Sequence, residues 1–265
     1  MYEADSVTVC VLTFNGDKYL KRVLDGIEAQ VYNGPVEVLV IDSGSTDRTL
    51  AIVEDYPEVR LHQIANSDFQ HGRTRNLAAE LSSTEFIAYL TQDAIPANEW
   101  WLHELTEPFR RFPDVVGVMG KQIPRANCYP MLKREIRQVF SQMGPDFGTS
   151  IFYRDSALPE GMINSAANFY SDVNSAARLE TLRQRIRYRE VPYAEDQLFG
   201  ADVLEAGLAK AYASRAVVEH SNDLDMSELR GRTFDETVGL RRIGLSGEPP
   251  SPAEISKLIR RDTLY

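Results

Sequence analysis

The chain has 265 residues, 43% apolar and 26% charged, with a net charge of −10. That supplies the core of one large α/β domain or two small ones, and the acidic balance argues against a surface built for nucleic acid. The start, Met1-Tyr-Glu-Ala-Asp5, lacks the basic opening and apolar core of a secretion signal, and no apolar run approaches the ~18 residues of a membrane span. The sequence therefore reads as cytoplasmic, or peripheral on the cytoplasmic face of a membrane. Cys10, inside an apolar run, and Cys128, in a loop-like stretch, read as free packing thiols of a reducing compartment.

Val7-Thr-Val-Cys-Val-Leu-Thr-Phe14 is β-branched and almost continuously apolar, which predicts a strand covered on both faces and ended by Asn15-Gly16-Asp17. Leu20, Val23, Leu24 and Ile27 then recur at helical spacing, with Lys18, Lys21, Arg22 and Asp25 mostly opposite. A second strand, Val36-Glu-Val-Leu-Val-Ile41, runs into Asp42-Ser-Gly-Ser-Thr-Asp47 and a helix from about Arg48, so the unit is βαβ and the sheet parallel. Val59 to Ile64 reads as a third strand, His71 to Leu81 as a helix, and Glu85 to Leu90 as a fourth strand with Asp93 just past its end. This is a nucleotide-binding half of doubly wound type, although neither GxGxxG nor GxxxxGK[ST] is present.

Further along, Asn98 to Phe112 reads as a helix, Val115 to Met119 as a strand, Met131 to Met143 as a helix and Gly144 to Glu160 as a long functional loop. Phe169 to Ala176 is strand-like, Glu195 to Ala209 helical, and Ala211 to Val218 a last strand. The expected organisation is one domain over 1–245, with a nucleotide-sugar half at 1–120 and an acceptor half at 121–245. Ser246-Gly-Glu-Pro-Pro-Ser-Pro252 then reads as a linker to a short basic tail around Lys257, Arg260 and Arg261. The tail fits a solvated chain end or a contact with an anionic membrane face.

Strand ends bearing Thr13, Asn15, Asp42 and Asp93 converge on one edge of such a sheet, where a nucleotide can lie. Asp93, held on a rigid strand end, is placed to take a divalent cation, or else is a turn residue. Asp42 can accept a hydrogen bond from the imide N–H of uracil or thymine, a donor that cytosine lacks; the other reading of Asp42 and Asp47 is helix capping around the Ser43-Gly44 turn. His71-Gly-Arg-Thr-Arg-Asn76 opens a helix whose N-terminus can hold a diphosphate. His71 itself fits a phosphate or donor-sugar contact as well as a structural role. Of Trp100 and Trp101, one can pack on a sugar face and one is expected in the core. Glu195 and Asp196 start a helix after Val-Pro-Tyr193, where the dipole favours carboxylates and capping is the plain alternative.

Five segments, VTVCVLTFNGDKYL, VLVIDSGSTDRTL, HGRTRNLAA, AYLTQDA and VPYAEDQLFG, occur in the order found in family 2 glycosyltransferases of the GT-A fold, and the sequence resembles that family over about two hundred residues. The pair FQHGRTRN and TQDA is most similar to its bacterial rhamnosyltransferases. The resemblance implies a Rossmann-like, mostly parallel sheet flanked by helices with an acceptor-side C-terminal half. It implies an inverting, metal-dependent transfer of L-rhamnose from dTDP-L-rhamnose, or of another hexose, to a cell-surface glycan or lipid-linked acceptor. Asp196 then aligns with the family's base and Glu195 supports it. Arg75 matches the arginine at the nucleotide, with Thr13, Asn15, Asp42, Gly44, His71, Gln92 and Trp100 on the donor. Asp93, with His220 of Val-Glu-His-Ser, would ligate Mg²⁺ or Mn²⁺; the family's usual Asp-x-Asp has Thr91 at its first position here. Two other classes share parts of this pattern. A sugar-nucleotide nucleotidyltransferase would open on a Gly-rich loop that Thr13-Phe-Asn-Gly-Asp17 does not supply, and a non-catalytic binding module would not need Asp93, Glu195 and Asp196 together.

Overall fold

A computed structural model of the chain describes residues 5–154, 167, 169–222, 231, 234 and 237–239. The chain divides into two compact units, Met1–Asp223 and Leu224–Tyr265. All elements given below belong to the first; the linker and basic tail lie outside the described residues.

The N-terminal half alternates β1 (Val7–Thr13), α1 (Leu20–Glu28), β2 (Val36–Asp42), α2 (Thr49–Glu54), β3 (Val59–Gln63), α3 (His71–Leu81) and β4 (Phe86–Thr91). These four strands are parallel and lie in the order β3-β2-β1-β4. The period-two pattern of β1 explains its position: Val7, Val9 and Val11 enter one core with Leu20, Val23, Leu24 and Ile27 of α1, while Cys10 enters the other with Ala78 and Ala79 of α3. Both cysteines are buried and free, and burial pushes the Cys10 thiol up to about 12, so it is a packing group.

The rest of the sheet is mixed. β5 (Ile95–Pro96), α4 (Trp101–Arg111), β6 (Val115–Ile123), α5 (Pro130–Ser141), β7 (Thr149–Phe152), β8 (Asn174–Arg178), α6 (Leu179–Gln184), α7 (Glu195–Glu205) and β9 (Ala209–Glu219) follow. β8 lies antiparallel between β4 and β6, β9 runs parallel to β6, and the short β5 and β7 pair antiparallel to β9. The α1, α2 and α4 side chains fill one face of the sheet; α3, α5, α6 and α7 fill the other.

Three of the boundaries that differ from the expected ones lie in the C-terminal half of the sheet. The loop expected at 144–160 contains β7, because Thr149-Ser-Ile-Phe152 is β-branched and aromatic enough to pair with β9, Ile151 opposite Ala211; residues 155–160 lie outside the described set. The strand expected from Phe169 begins only at Asn174, leaving 169–173 as irregular backbone at the sheet edge. The helix expected to reach Ala209 ends at Glu205, since Gly207 takes φ +70° and turns the chain directly into β9.

Between β6 and β9 the register shifts: Gly120 faces Ala213 but Lys121 faces Val217, so β9 carries three extra residues, 214–216. Asn174 Nδ2 donates to the Ala216 and Lys121 carbonyls at 2.8 and 3.2 Å, and its Oδ1 accepts from the Trp101 indole at 2.8 Å. The bulge is thus hydrogen-bonded by a side chain. A Cβ at Gly120 would collide with Asn174 and the Ala216 carbonyl, which is why a glycine stands there.

Candidate active site

The carboxyl ends of β1 and β2 are joined by side chains. Thr13 and Asp42 are register partners, and Thr13 Oγ1 donates to Asp42 Oδ2 at 2.9 Å. Asp42 is fully buried: its Oδ1 accepts from the Gly44 and Ser45 N–H groups at 3.0 and 2.9 Å, and Oδ2 also accepts from Ser45 Oγ at 2.5 Å. This Asx turn needs Gly44 at φ +88°. Asn15, at φ +48°, accepts from Thr46 N–H at 2.8 Å, and Gln92 pairs with both backbone groups of Phe14. Asp47 caps α2 through Thr49 N–H at 2.9 Å. Thr13, Asn15, Asp42, Gly44 and Gln92 are therefore brought together, but the Asp42 oxygens are engaged by their own turn, and a base contact there must share or displace the Ser45 hydroxyl.

Asp93 and His220 also meet. His220 follows β9, its N–H bonded to Ile123 O at 2.9 Å, and its Nε2 lies 3.4 Å from Asp93 Oδ2. On the other side of the ring Nδ1 is 3.0 Å from Gln122 Oε1, and Gln122 Nε2 donates to Ser171 Oγ at 3.1 Å. The buried Arg125 places Nη2 3.6 Å from the same Asp93 oxygen, bonds the Asp93 carbonyl, and lies over the Tyr19 ring at 3.9 Å. Burial raises the Asp93 carboxyl, but His220, then Thr91 and Arg125, outweigh it and hold it at about 2. Among the described residues no group of three or more His, Cys, Asp and Glu forms a metal cluster, in line with Thr91 at the position where a second carboxylate would stand.

At the start of α3, where a diphosphate site is expected, the first turn is engaged by the protein's own groups. Gln70 Oε1 accepts the Arg73 N–H at 2.6 Å, Asn76 exchanges hydrogen bonds with the Tyr188 backbone at 2.9 and 3.0 Å, and Gln70 Nε2 bonds the Val191 carbonyl. The segment 188–191 thus packs on the helix start, so closely that a Cβ at Gly72 would strike the Arg189 carbonyl. Arg75, expected at the nucleotide, is only 5% exposed. It is ion-paired to Glu195 and, through Nε at 3.1 Å, to Asp172, between the Tyr89 and Tyr188 rings. Apolar packing around a guanidinium demands carboxylates, and two surround it. His71 stays exposed at the first position of α3, its ring edge-on to Phe69 at 4.9 Å. Trp101 is the core tryptophan, fully buried, and Trp100 is 48% exposed.

A profile of known families matches residues 8–159 as "Glycosyl transferase family 2". The chain belongs to that family. It is 31% identical over 234 residues to the O-antigen chain rhamnosyltransferase RfbN of Salmonella typhimurium and 29% over 236 residues to WbaN of Salmonella anatum, in each case over 88% of this chain and 71% of the relative. The fold is GT-A. The mannosyltransferase PcManGT of Pyrobaculum calidifontis, in complex with GDP-Man and Mn²⁺, superposes with TM-score 0.66 at 20% identity, covering 96% of this chain and 68% of that one. The S. aureus TarS fragment with UDP-GlcNAc gives 0.63 at 20%, over 85% and 60%.

In this glycosyltransferase the second carboxylate group sits at the same sheet edge as Asp93, because Thr91 N–H bonds the Val173 carbonyl at 3.4 Å. Asp196, in the first turn of α7, accepts from Gln197 N–H at 2.8 Å and from Asp172 N–H at 3.3 Å. Ala194, the residue before α7, is held at φ +57°, a left-handed backbone that a non-glycine residue adopts only when its surroundings impose it. Burial, then repulsion by Glu195 and Asp172, pushes the Asp196 carboxyl up to about 7, which places a proton acceptor near neutral pH. Sequence reasoning missed Asp172, Arg125 and Gln122. Asp172 lay inside an expected strand, and Arg125 and Gln122 follow a strand with no motif around them; only their places at strand ends could have singled them out.

Proposed function

We propose that the enzyme transfers a hexose, L-rhamnose from dTDP-L-rhamnose, with inversion at the anomeric carbon, to a bacterial surface glycan or its lipid-linked precursor. The observation that carries this reading is the continuity of the sheet edge. Asp93 faces His220, and His220 is tied through Gln122 and Ser171 to the segment whose Asp172 N–H holds Asp196. Donor diphosphate at the first pair and acceptor hydroxyl at Asp196 would then be neighbours. The names of the two Salmonella relatives support the donor sugar and the class of acceptor, and the nucleotide sugars in the two solved structures support a nucleoside diphosphate donor.

Asp93 and His220 fit Mg²⁺ or Mn²⁺. Gln122 Nε2 donates to Ser171, and its Oε1 engages His220 Nδ1, so Nε2, 3.4 Å from Asp93 Oδ2, is the ring nitrogen that would ligate a cation together with that carboxylate. When bound, the ion supplies charge neutralisation to the departing diphosphate. Arg125 adds a fixed positive charge beside the same carboxylate. Asp196 takes the acceptor hydroxyl proton as that oxygen attacks the anomeric carbon opposite the leaving group. Glu195 holds Arg75 in place. A peripheral contact of Lys257, Arg260 and Arg261 with anionic lipid would bring the enzyme to a lipid-linked acceptor.

A calorimetric panel of dTDP-rhamnose, UDP-glucose, UDP-galactose and GDP-mannose, with and without Mn²⁺, tests base, sugar and metal together. A β-linked dTDP-L-rhamnose donor should give an α-rhamnoside in an NMR coupling measurement; a product of retained configuration overturns the single displacement.

A further inference from the structure

The group around Asp196 contains a residue the mechanism has not used. Asp172 is 1% exposed and all its polar atoms are directed: Oδ1 accepts from Ser175 Oγ at 2.5 Å and Tyr188 OH at 2.9 Å, Oδ2 lies 3.1 Å from Arg75 Nε, and its N–H donates to Asp196. Glu195, also buried, takes the other side of the Arg75 guanidinium. Three carboxylates therefore share one cation. Two of them are in direct ionic contact with it; among the described residues Asp196 receives only backbone N–H groups, and of the three it is the one partly open to solvent.

We propose that Asp172 is a positioning residue for the transfer: with Glu195 it occupies Arg75, and so leaves Asp196 as the carboxylate on which the cluster carries its exchangeable proton. This rests on the reading of Asp196 as the base. Burial raises the Asp172 carboxyl as well, but Arg75, Ser175 and Tyr188 draw it back, whereas Asp196, among the described residues, has no cation or hydroxyl in contact and faces two carboxylates, which makes it the favoured place for the proton. The other groups packed against Asp196 leave this order in place. Tyr188 and Tyr170 are buried phenols pushed well above their usual range, hence neutral. Lys210, on β9, gives its ammonium to the Phe169 carbonyl at 3.0 Å, and burial lowers it to about 7, so it is about half charged where Asp196 titrates and offsets the two carboxylates only in part. Arg75 is held above the ordinary guanidinium range by Asp172 and Glu195 despite its burial, and is permanently charged.

The test uses Asp172→Asn, which keeps the shape and an acceptor for Tyr188 and Ser175, and Asp172→Glu, which keeps the charge. In the wild-type enzyme the acid limb of kcat against pH should have its midpoint near 7. Removing the charge of Asp172 removes one repulsion and frees Arg75 toward Asp196, so in Asp172→Asn the midpoint should fall by about one unit or more, and the plateau kcat by roughly 3- to 10-fold as the base weakens, with KM for the donor within twofold. Asp172→Glu should keep the limb near its wild-type position even if its plateau drops. A limb that stays put in Asp172→Asn while the melting temperature falls would make Asp172 a packing residue only. Carboxyl ¹³C NMR titration of the protein without substrate reads the Asp196 midpoint directly. It separates the two ideas: a midpoint that falls in Asp172→Asn sustains the proton assignment even if Asp196→Asn keeps its turnover, which would sink the base reading instead. An unchanged midpoint overturns the proposal whatever the kinetics show.

Discussion

Around Asp42 every hydrogen bond comes from the next three residues or from the adjoining strand, whereas around Asp196 the contacts come from α3, from the stretch before β8, from the Tyr188 segment and from α7. The first carboxylate is held by neutral donors and needs no countercharge. The second shares a buried guanidinium with two rivals. A carboxylate secured by its own turn is a fixed structural acceptor; one left over from a crowded ion group is a proton carrier. The contrast suggests that this half of the sheet edge positions a ligand and the other half performs chemistry.

The strongest way to break the comparison is Asp196→Asn. It should lower turnover by roughly 10²–10⁴ while donor affinity stays near wild type, and near-normal turnover would return Asp196 to the status of a helix-end residue. Asp93→Ala should abolish the metal-dependent part of dTDP binding in calorimetry, with a moderately lower melting temperature at neutral pH because Arg125 and His220 lose their carboxylate, and His220→Ala should be a milder case; a titration with Mn²⁺ matching wild type would remove the metal assignment. Arg75→Met leaves Asp172 and Glu195 buried without their cation and should cost about 3–5 kcal/mol, seen in urea unfolding. An equal loss at Asp42→Asn would erase the proposed difference between the two carboxylates.

Smaller effects sharpen it. The Asp196 carboxyl is raised in the folded state to about 7, so between pH ~4 and ~7 the folded protein holds a proton that the unfolded chain has released, and stability falls as pH rises through that window. Asp196→Asn should therefore unfold at higher temperature than wild type at pH 8, by on the order of 2 kcal/mol, and with little difference at pH 4. Equal melting curves at both pH values would contradict the raised carboxyl. Gly44→Ala, at φ +88°, should cost about 1 kcal/mol and leave the Asp196 limb untouched.

The same contrast explains what the sequence could disclose. The βαβ half was legible because its strands and helices announce themselves by period, and the Asp42 turn because its donors lie within three residues. Asp93 was legible from its strand end, and His220 through its motif. The burial of Arg75 was not legible, because a helix start with two arginines resembles an open anion site; that Tyr188 to Val191 would pack over it is a long-range fact with no local trace. Asp172 was missed for the same reason, its partners lying 3, 16, 24 and 97 positions away in the chain.

The three-residue bulge of β9 acts as a ruler. Were β9 to run on in register without bulging at 214–216, the position opposite Ile123 would belong to Ala216 instead of Glu219, and His220 would overshoot the sheet edge by roughly 10 Å at ~3.3 Å per residue. The imidazole reaches Asp93 because surplus chain is taken up in the middle of a strand and tied off by Asn174. The meeting of those two side chains is thus governed by a tally of residues, so a one-residue insertion or deletion between Val217 and His220, downstream of the bulge, would carry the histidine off Asp93.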